Sequence, residues 1–433
     1  MLAPEGAGVT PRLVPSVLSR LVPAADMPRR GHGRFAKMNL MAAVKVEAAR
    51  LRAWWAHRQR LDGAPQGAAP AAVLEKTGWA RSVGGAAPYL TLHARAGTSR
   101  EAADAAVEQA GIHELPAARG CTYVVPACHY ALALACGCGF GDGERKVALK
   151  LGVTEKEIET LCAKVLDALG GGPLDPEQIK QYVGPAVRNL GDEGRKKGLT
   201  TSLPVALAAL QQAGEIRRLS VNGRLDAQRY RYALWRPNPL TGFRLSQEEC
   251  TTELARLYWQ WTGPATPAEF QWFSGFGVKV CKQAAAPLGL VPLEDGSDRL
   301  LFPPDLEALH AFRVPKDPCH ALVSSLDGIV LLRRGVRDLL PAPDAAFPLV
   351  QGLSDLPSHA ILDRGTLAGL WEFDPENGEI AWMTFGKAPK KLEAEVARVA
   401  EWIRIQLGDA RSFSLDSPKS RAPRIAALRR AGR

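Results

Sequence analysis

Residues 200–235 read TTSLPVALAALQQAGEIRRLSVNGRLDAQRYRYALW, and their periodicity changes halfway through. Up to Ala213 the apolar residues recur at helical spacing, and Gly214 stands where a C-cap glycine would end the helix. Beyond it, 215–221 and 228–235 flank Asn222–Gly223, the dipeptide that favours a two-residue hairpin turn. Alternation within Arg229–Tyr230–Arg231–Tyr232 puts the arginines on one face of the strand and the tyrosines on the other. Two helices precede this passage. One runs over 154–169, with Thr154 as its cap and Gly170–Gly171–Gly172 as its stop; the other runs over 174–183, with Pro176 in its first turn. Three helices and a hairpin make 150–240 a winged helix-turn-helix.

The same order recurs on both sides. Upstream, helical spacing begins near Ala42 and ends at Asp62–Gly63–Ala64–Pro65; further helices are expected at 70–77, at 89–96 and behind Thr98–Ser99. Strands at 112–115 and 122–125 complete a first winged helix over 38–149. Downstream, helices at 247–261, 266–273 and 278–288 precede a hairpin around Asp295–Gly296, giving a third unit over 241–314. From about Pro315 short apolar runs alternate with turn residues, at 320–326, 329–332, 360–363, 369–373 and 380–385, and an amphipathic helix spans 390–407. The expected fold is therefore α+β and mostly helical: three tandem winged helix-turn-helix units, then a small β-rich, barrel-like domain with a closing helix over 315–408. Residues 1–37 read as a disordered basic leader and 409–433 as a disordered basic tail. Met38 and Met41 are alternative starts to Met1.

A chain of 433 residues suits several domains, and 46% apolar with 23% charged residues is ordinary for a soluble globular protein. No run approaches about 18 apolar residues, so no membrane span is expected. The net charge of +10 sits at the ends. Arg12, Arg20, Arg29, Arg30, Arg34 and Lys37 outweigh Glu5 and Asp26, while 417–433 carry six basic residues and no acid, leaving 38–416 formally neutral. A nucleic-acid face in the core would have to arise from charge gathered on one side. Eight cysteines without an export signal do not make a disulfide framework, which favours the cytoplasm.

In a winged helix the third helix enters the major groove, and the wing touches backbone or minor groove. Here helix 200–213 offers Thr200, Thr201 and Ser202, then an apolar face. Basic residues precede it (Arg195, Lys196, Lys197) and line the hairpin (Arg217, Arg218, Arg224, Arg229, Arg231, Arg236) against Glu215 and Asp226. This distribution suits phosphate contact, while the plainer alternative is a solvated hairpin face with ion pairs. Cys136–Gly137–Cys138, with Cys128 and His129 nearby, lacks a second well-spaced ligand pair and reads as free thiols, so no metal is expected. Gly137–Gly143 joins no strand to a helix with a following Lys–Ser or Lys–Thr, and no nucleophile elbow occurs. No cofactor is expected.

Several strings then resemble, in order, the AlkZ/YcaQ-type winged-helix DNA glycosylase family. They are Arg50–Leu51–Arg52 with Gln59–Arg60–Leu61; Pro88–Tyr89–Leu90–Thr91–Leu92–His93–Ala94–Arg95; and Arg119–Gly120–Cys121–Thr122–Tyr123–Val124–Val125–Pro126. Gly263–Pro264–Ala265–Thr266 with Trp272, then Ile361–Leu362–Asp363–Arg364–Gly365 and Ala368–Gly369–Leu370–Trp371, continue the likeness. The resemblance implies three winged helices in a row that hold duplex DNA, and excision of alkylated or crosslinked bases. It also exposes a departure. The family's Q-x-Q or Q-x-D motif falls on Gly78–Trp79–Ala80–Arg81–Ser82, so Ala80 and Ser82 occupy the glutamine positions and Tyr123 replaces the hairpin histidine. Two readings follow. One is a divergent glycosylase with Arg81 and Ser82 as candidate catalytic groups, and with Arg119 and Tyr123 at the DNA. The other is a non-catalytic DNA-binding protein, a regulator or damage recogniser. Either is expected to act as a monomer on double-stranded DNA, in the cytoplasm at the nucleoid.

Overall fold

Several helices in this chain begin at a reciprocal side-chain cap that the sequence supplies. Thr154, Asp175, Ser246 and Thr266 each accept a hydrogen bond from the backbone N–H three residues on, and Glu157, Gln178, Glu249 and Glu269 reach back to the capping residue's own N–H. The computed structural model describes residues 46–63, 66–140, 142–227, 229–333, 335–341, 356–413 and 415–432. All lie in the unit Val44–Arg433. The leader expected over 1–37 and the starts Met38 and Met41 lie outside the described residues.

The chain is α+β and mostly helical. α1 (Ala48–Arg58) precedes α2 (Pro70–Thr77), the short strand β1 (Ala80–Arg81), α3 (Ala87–Ala96), α4 (Arg100–Glu108) and a hairpin of β2 (Ile112–Pro116) and β3 (Thr122–Pro126). α5 (Tyr130–Gly137) and α6 (Asp142–Lys150) lead to α7 (Glu155–Leu169), α8 (Pro176–Val183), α9 (Gly191–Lys196), α10 (Leu203–Gln212) and the hairpin β4 (Ile216–Ser220) and β5 (Tyr230–Leu234). A third passage holds α11 (Gln247–Thr262), α12 (Pro267–Ser274), α13 (Val278–Ala285) and the short pair β6 (Val291–Pro292) and β7 (Leu300–Leu301).

One topological device repeats three times. A segment between two helices of each passage (α2 and α3, α7 and α8, α11 and α12) pairs antiparallel with the last hairpin strand: Ala80 with Val124, Leu174 with Tyr232, and Ala265 with Leu300. Leu174, expected to begin a helix, is thus a sheet residue, and Asp175 caps the helix behind it. Helix α10 likewise starts at Leu203 rather than at residue 200. Thr200 and Thr201 precede it, Thr201 being bridged to Asn189.

After α14 (Pro303–Ala311) come β8 (His320–Val323), α15 (Gly328–Leu331), β9 (His359–Asp363), β10 (Thr366–Asp374), β11 (Glu379–Thr384), α16 (Lys390–Gln406) and α17 (Pro418–Ala431). Residues 329–332, expected as a strand, lie mainly in helix α15 because the Asp327 carboxylate accepts from the Ile329 N–H and starts a helical turn. The four strands pair antiparallel in the order β11-β10-β9-β8. Among the described residues this sheet stays open, so the barrel-like expectation is not met. Helices cover it instead. Leu322, Ile361, Trp371 and Phe373 pack with Leu392, Val396, Val399 and Ile403 of α16, and also with Leu90 of α3. Val323, Ala360, Leu370 and Met383 pack with Trp55 of α1 and with Ile425 and Leu428 of α17.

Helix α17 corrects the disordered tail expected over 409–433. Its charges have partners inside the fold: Arg421, fully buried, pairs with Asp409 at 2.9 Å, Arg424 with the buried Glu372 at 2.9 Å, and Arg429 with Asp374 at 2.7 Å. Burying such guanidinium groups is tolerable only because carboxylates meet them. No helix among the described residues is long and apolar enough to cross a membrane.

Candidate active site and nucleic-acid interface

Strand β1 is two residues long, and it sorts the candidate residues onto two faces because successive side chains point to opposite sides. Arg81, Tyr123 and Leu115 stand in register across β1, β3 and β2, as do Ala80, Val124 and Glu114. On the first face Trp79 packs edge-on to Tyr123, and both enter an apolar cluster with Trp261 and Phe273. The Arg81 guanidinium lies 5.4 Å from the Tyr123 ring centre and donates to the Thr122 carbonyl at 2.9 Å. Tyr123 is buried, so it faces the third passage of the chain rather than solvent.

The second face is polar where it should be apolar. Ala80 joins the core with Tyr89, Val124 and Leu225. Ser82, 2% exposed, donates its hydroxyl to the Glu114 carboxylate, and Glu114 is itself 7% exposed. The hairpin β4–β5 supplies the remaining neighbours: the Tyr230 hydroxyl and the Arg218 guanidinium lie close to Glu114. Burial raises the Glu114 pKa above the usual carboxylate value, while Arg218, Ser82 and Tyr230 each pull it down. Beside it, burial and the charges of Arg217 and Arg218 lower the His113 pKa to about 3, so this histidine is neutral. Neither Glu114 nor Tyr230 was singled out from the sequence. A carboxylate in the middle of the apolar strand Ile112–Pro116 was the available signal.

Register refines the hairpin. Arg218 stands opposite Tyr232, with Tyr230 on the same face, whereas Arg217 and Arg231 project from the other. Arg218 stacks 4.7 Å from the Tyr230 ring centre and reaches the Thr122 hydroxyl at 3.4 Å, so it serves the first hairpin rather than an open face. Arg229 and Arg231 are exposed. Arg224 pairs with Asp226 at 2.5 Å and donates to the Leu407 carbonyl at 3.1 Å. Arg119 sits exposed at the first hairpin's tip, with φ of 57°, and its guanidinium lies 3.8 Å above the Trp272 ring. Arg195 and Lys196 are engaged locally by Asp192 and Glu193 at the end of α9, and Lys197 is exposed behind them. The structure therefore gathers Arg81, Ser82, Tyr123 and Arg218 around Thr122. It leaves Arg195, Lys196, Lys197, Thr200, Thr201, Arg229 and Arg231 outside that cluster.

A sequence model of the family described as DNA glycosylase AlkZ-like matches residues 80–402, starting at the strand that carries Ala80 and Arg81. The chain belongs to the AlkZ-like DNA glycosylase family. Among solved structures it is similar to Streptomyces sahachiroi DNA glycosylase AlkZ, with 17% identity, a TM-score of 0.64, and coverage of 86% of this chain and 99% of that one. At that identity the likeness speaks to the fold alone. No curated protein sequence matches the chain. Within the family's frame, the contact between Ser82 and Glu114 lies beside the short strand where the matched region begins.

Proposed function

We propose that this protein is a DNA-repair glycosylase that binds duplex DNA and hydrolyses the bond between a sugar and an alkylated base. The observation that carries this reading is the family match over 80–402, which opens on the strand bearing Ala80 and Arg81. The threefold pairing of an inter-helix segment with a hairpin supports reading each passage as a winged helix, with Arg229, Arg231 and Arg119 as exposed phosphate contacts. The protein acts as a monomer in the cytoplasm, on nucleoid DNA. The test is direct: full-length protein incubated with duplex containing N7-methylguanine releases the free base.

A second reading, non-catalytic DNA binding, is favoured by one specific feature. Ala80 offers no polar group at all, and the Ser82 hydroxyl is buried and already donated. Tight duplex binding with no release from any alkylated duplex would establish that reading in place of the first.

A further inference from the structure

Hydrolysis at an anomeric carbon needs a polar group to orient and deprotonate water and to stabilise positive charge on the sugar. Ala80 supplies none. We propose that Glu114, acting through its contact with Ser82, is the catalytic carboxylate of this chain, and that the hairpin β4–β5 covers it when no DNA is bound. The proposal rests on the excision reading above.

Position is the first argument. Glu114 lies across β3 from Ala80, in the same register row and on the same face, and its carboxylate accepts the Ser82 hydroxyl. The group missing at Ala80 is thus replaced from the opposite strand of the same small sheet. Cost is the second. Joining the two hairpins by hydrogen bonds would need only a neutral amide, since glutamine also accepts from hydroxyls. A buried carboxylate carries a desolvation penalty that an amide does not, and such groups gather at functional sites.

Cover is the third argument. The groups facing Glu114 from the second hairpin are Arg218 and Tyr230. The loop between β4 and β5 is fastened over this face by three hydrogen bonds: Leu225 N–H to the Tyr89 hydroxyl at 2.8 Å, Arg224 to the Leu407 carbonyl at 3.1 Å, and Arg411 to the Asp226 carbonyl at 3.1 Å. Leu225, in that loop, is 3% exposed and packs into the core with Tyr89 and Ala80. Lifting the hairpin β4–β5 withdraws Tyr230 and Arg218 together and leaves Glu114 and Ser82 open to water and sugar.

In the step itself, the oxygen of a water molecule bonds to C1′ as the C1′–N9 bond breaks. The bonding pair leaves with the base, which departs neutral because alkylation had made it cationic. One water proton passes to the Glu114 carboxylate and then to solvent. The products are the free alkylated base and an abasic sugar.

The experiment measures N7-methylguanine release from an alkylated duplex, together with duplex affinity and thermal melting, for the full chain and for Glu114→Gln, Ser82→Ala and Tyr230→Phe. Glu114→Gln is expected to slow release by about 100-fold, with affinity changed by no more than about twofold. In the wild type release rises with pH as Glu114 ionises. Ser82→Ala removes a hydrogen bond to the carboxylate and Tyr230→Phe removes a nearby hydroxyl that favours its charged form, so that limb moves to higher pH, a shift that a purely structural role would not produce. Release by Glu114→Gln at the wild-type rate overturns the assignment while leaving the excision reading intact. If Glu114→Gln does not fold, an acid limb unmoved by both other variants overturns it equally. Absence of release from the wild type overturns the excision reading itself, and this proposal with it.

Discussion

Arg95 and Asp327 lie 232 residues apart and form the most buried ion pair among the described residues, with both side chains at 1% exposure or less. The guanidinium bonds both carboxylate oxygens, at 2.7 and 2.6 Å, and also the Gln59 side chain at 2.9 Å. Arg95→Met leaves Asp327 charged and unmatched in the interior, so a loss of about 3–5 kcal/mol is expected in denaturant unfolding. Histidines set a second expectation. Burial lowers the His93 pKa to about 4 and the His113 pKa to about 3, both below the ordinary 6.5. The unfolded chain therefore binds more protons between about pH 6.5 and 4, and stability falls as pH drops through that window. Melting curves should show the fall, and His113→Phe should flatten it. Little of this was legible beforehand. Arg95 stood in a recognisable string, but sequence spacing carries no trace of a partner 232 residues away. Glu114 was hidden for the same reason, since its significance lies in Ser82 and Tyr230.

Elements divide more evenly between what the sequence announces and what it conceals. Asn222–Gly223 and the alternation after it placed the second hairpin, and caps such as Thr154 placed the helices, because these signals are local. Helix α17 was concealed: six basic residues without an acid read as a tail, whereas their carboxylates come from β10 and from 409–416. Deleting 417–433 removes Ile425 and Leu428 from the core they share with Trp55, Leu370 and Met383, and strands the buried Glu372. The expected result is a loss of about 5 kcal/mol or more, or insoluble protein, rather than a simple weakening of DNA attraction. Hairpin β4–β5 carries a separate expectation. Replacing exposed Arg229 and Arg231 by alanine should lower the slope of log affinity against log salt by about 2, with melting unchanged, since two phosphate contacts are lost. An unchanged slope would move the DNA to another surface.

For the whole molecule, the proposed DNA-binding reading accounts for a formally neutral core through the repeated order of helix, paired segment, helices and hairpin. Each repeat carries its own hairpin, and on that reading the exposed Arg119, Arg229 and Arg231 supply phosphate contact without global basicity. The sheet, expected as part of a barrel-like domain, is open among the described residues and shares its two cores with α1, α3, α16 and α17, so α1 and α3 are stabilised by the C-terminal helices and strands. That arrangement was not readable locally, because every strand's apolar pattern fits a barrel or a helix-covered sheet equally well. Chemistry is the point on which the reading stands or falls. Purified full-length protein should be incubated with a duplex carrying N7-methylguanine, and the free base quantified alongside binding of the same duplex. The expected result is release of free N7-methylguanine, leaving abasic sites. Saturating duplex binding with no base released above the protein-free rate would contradict it.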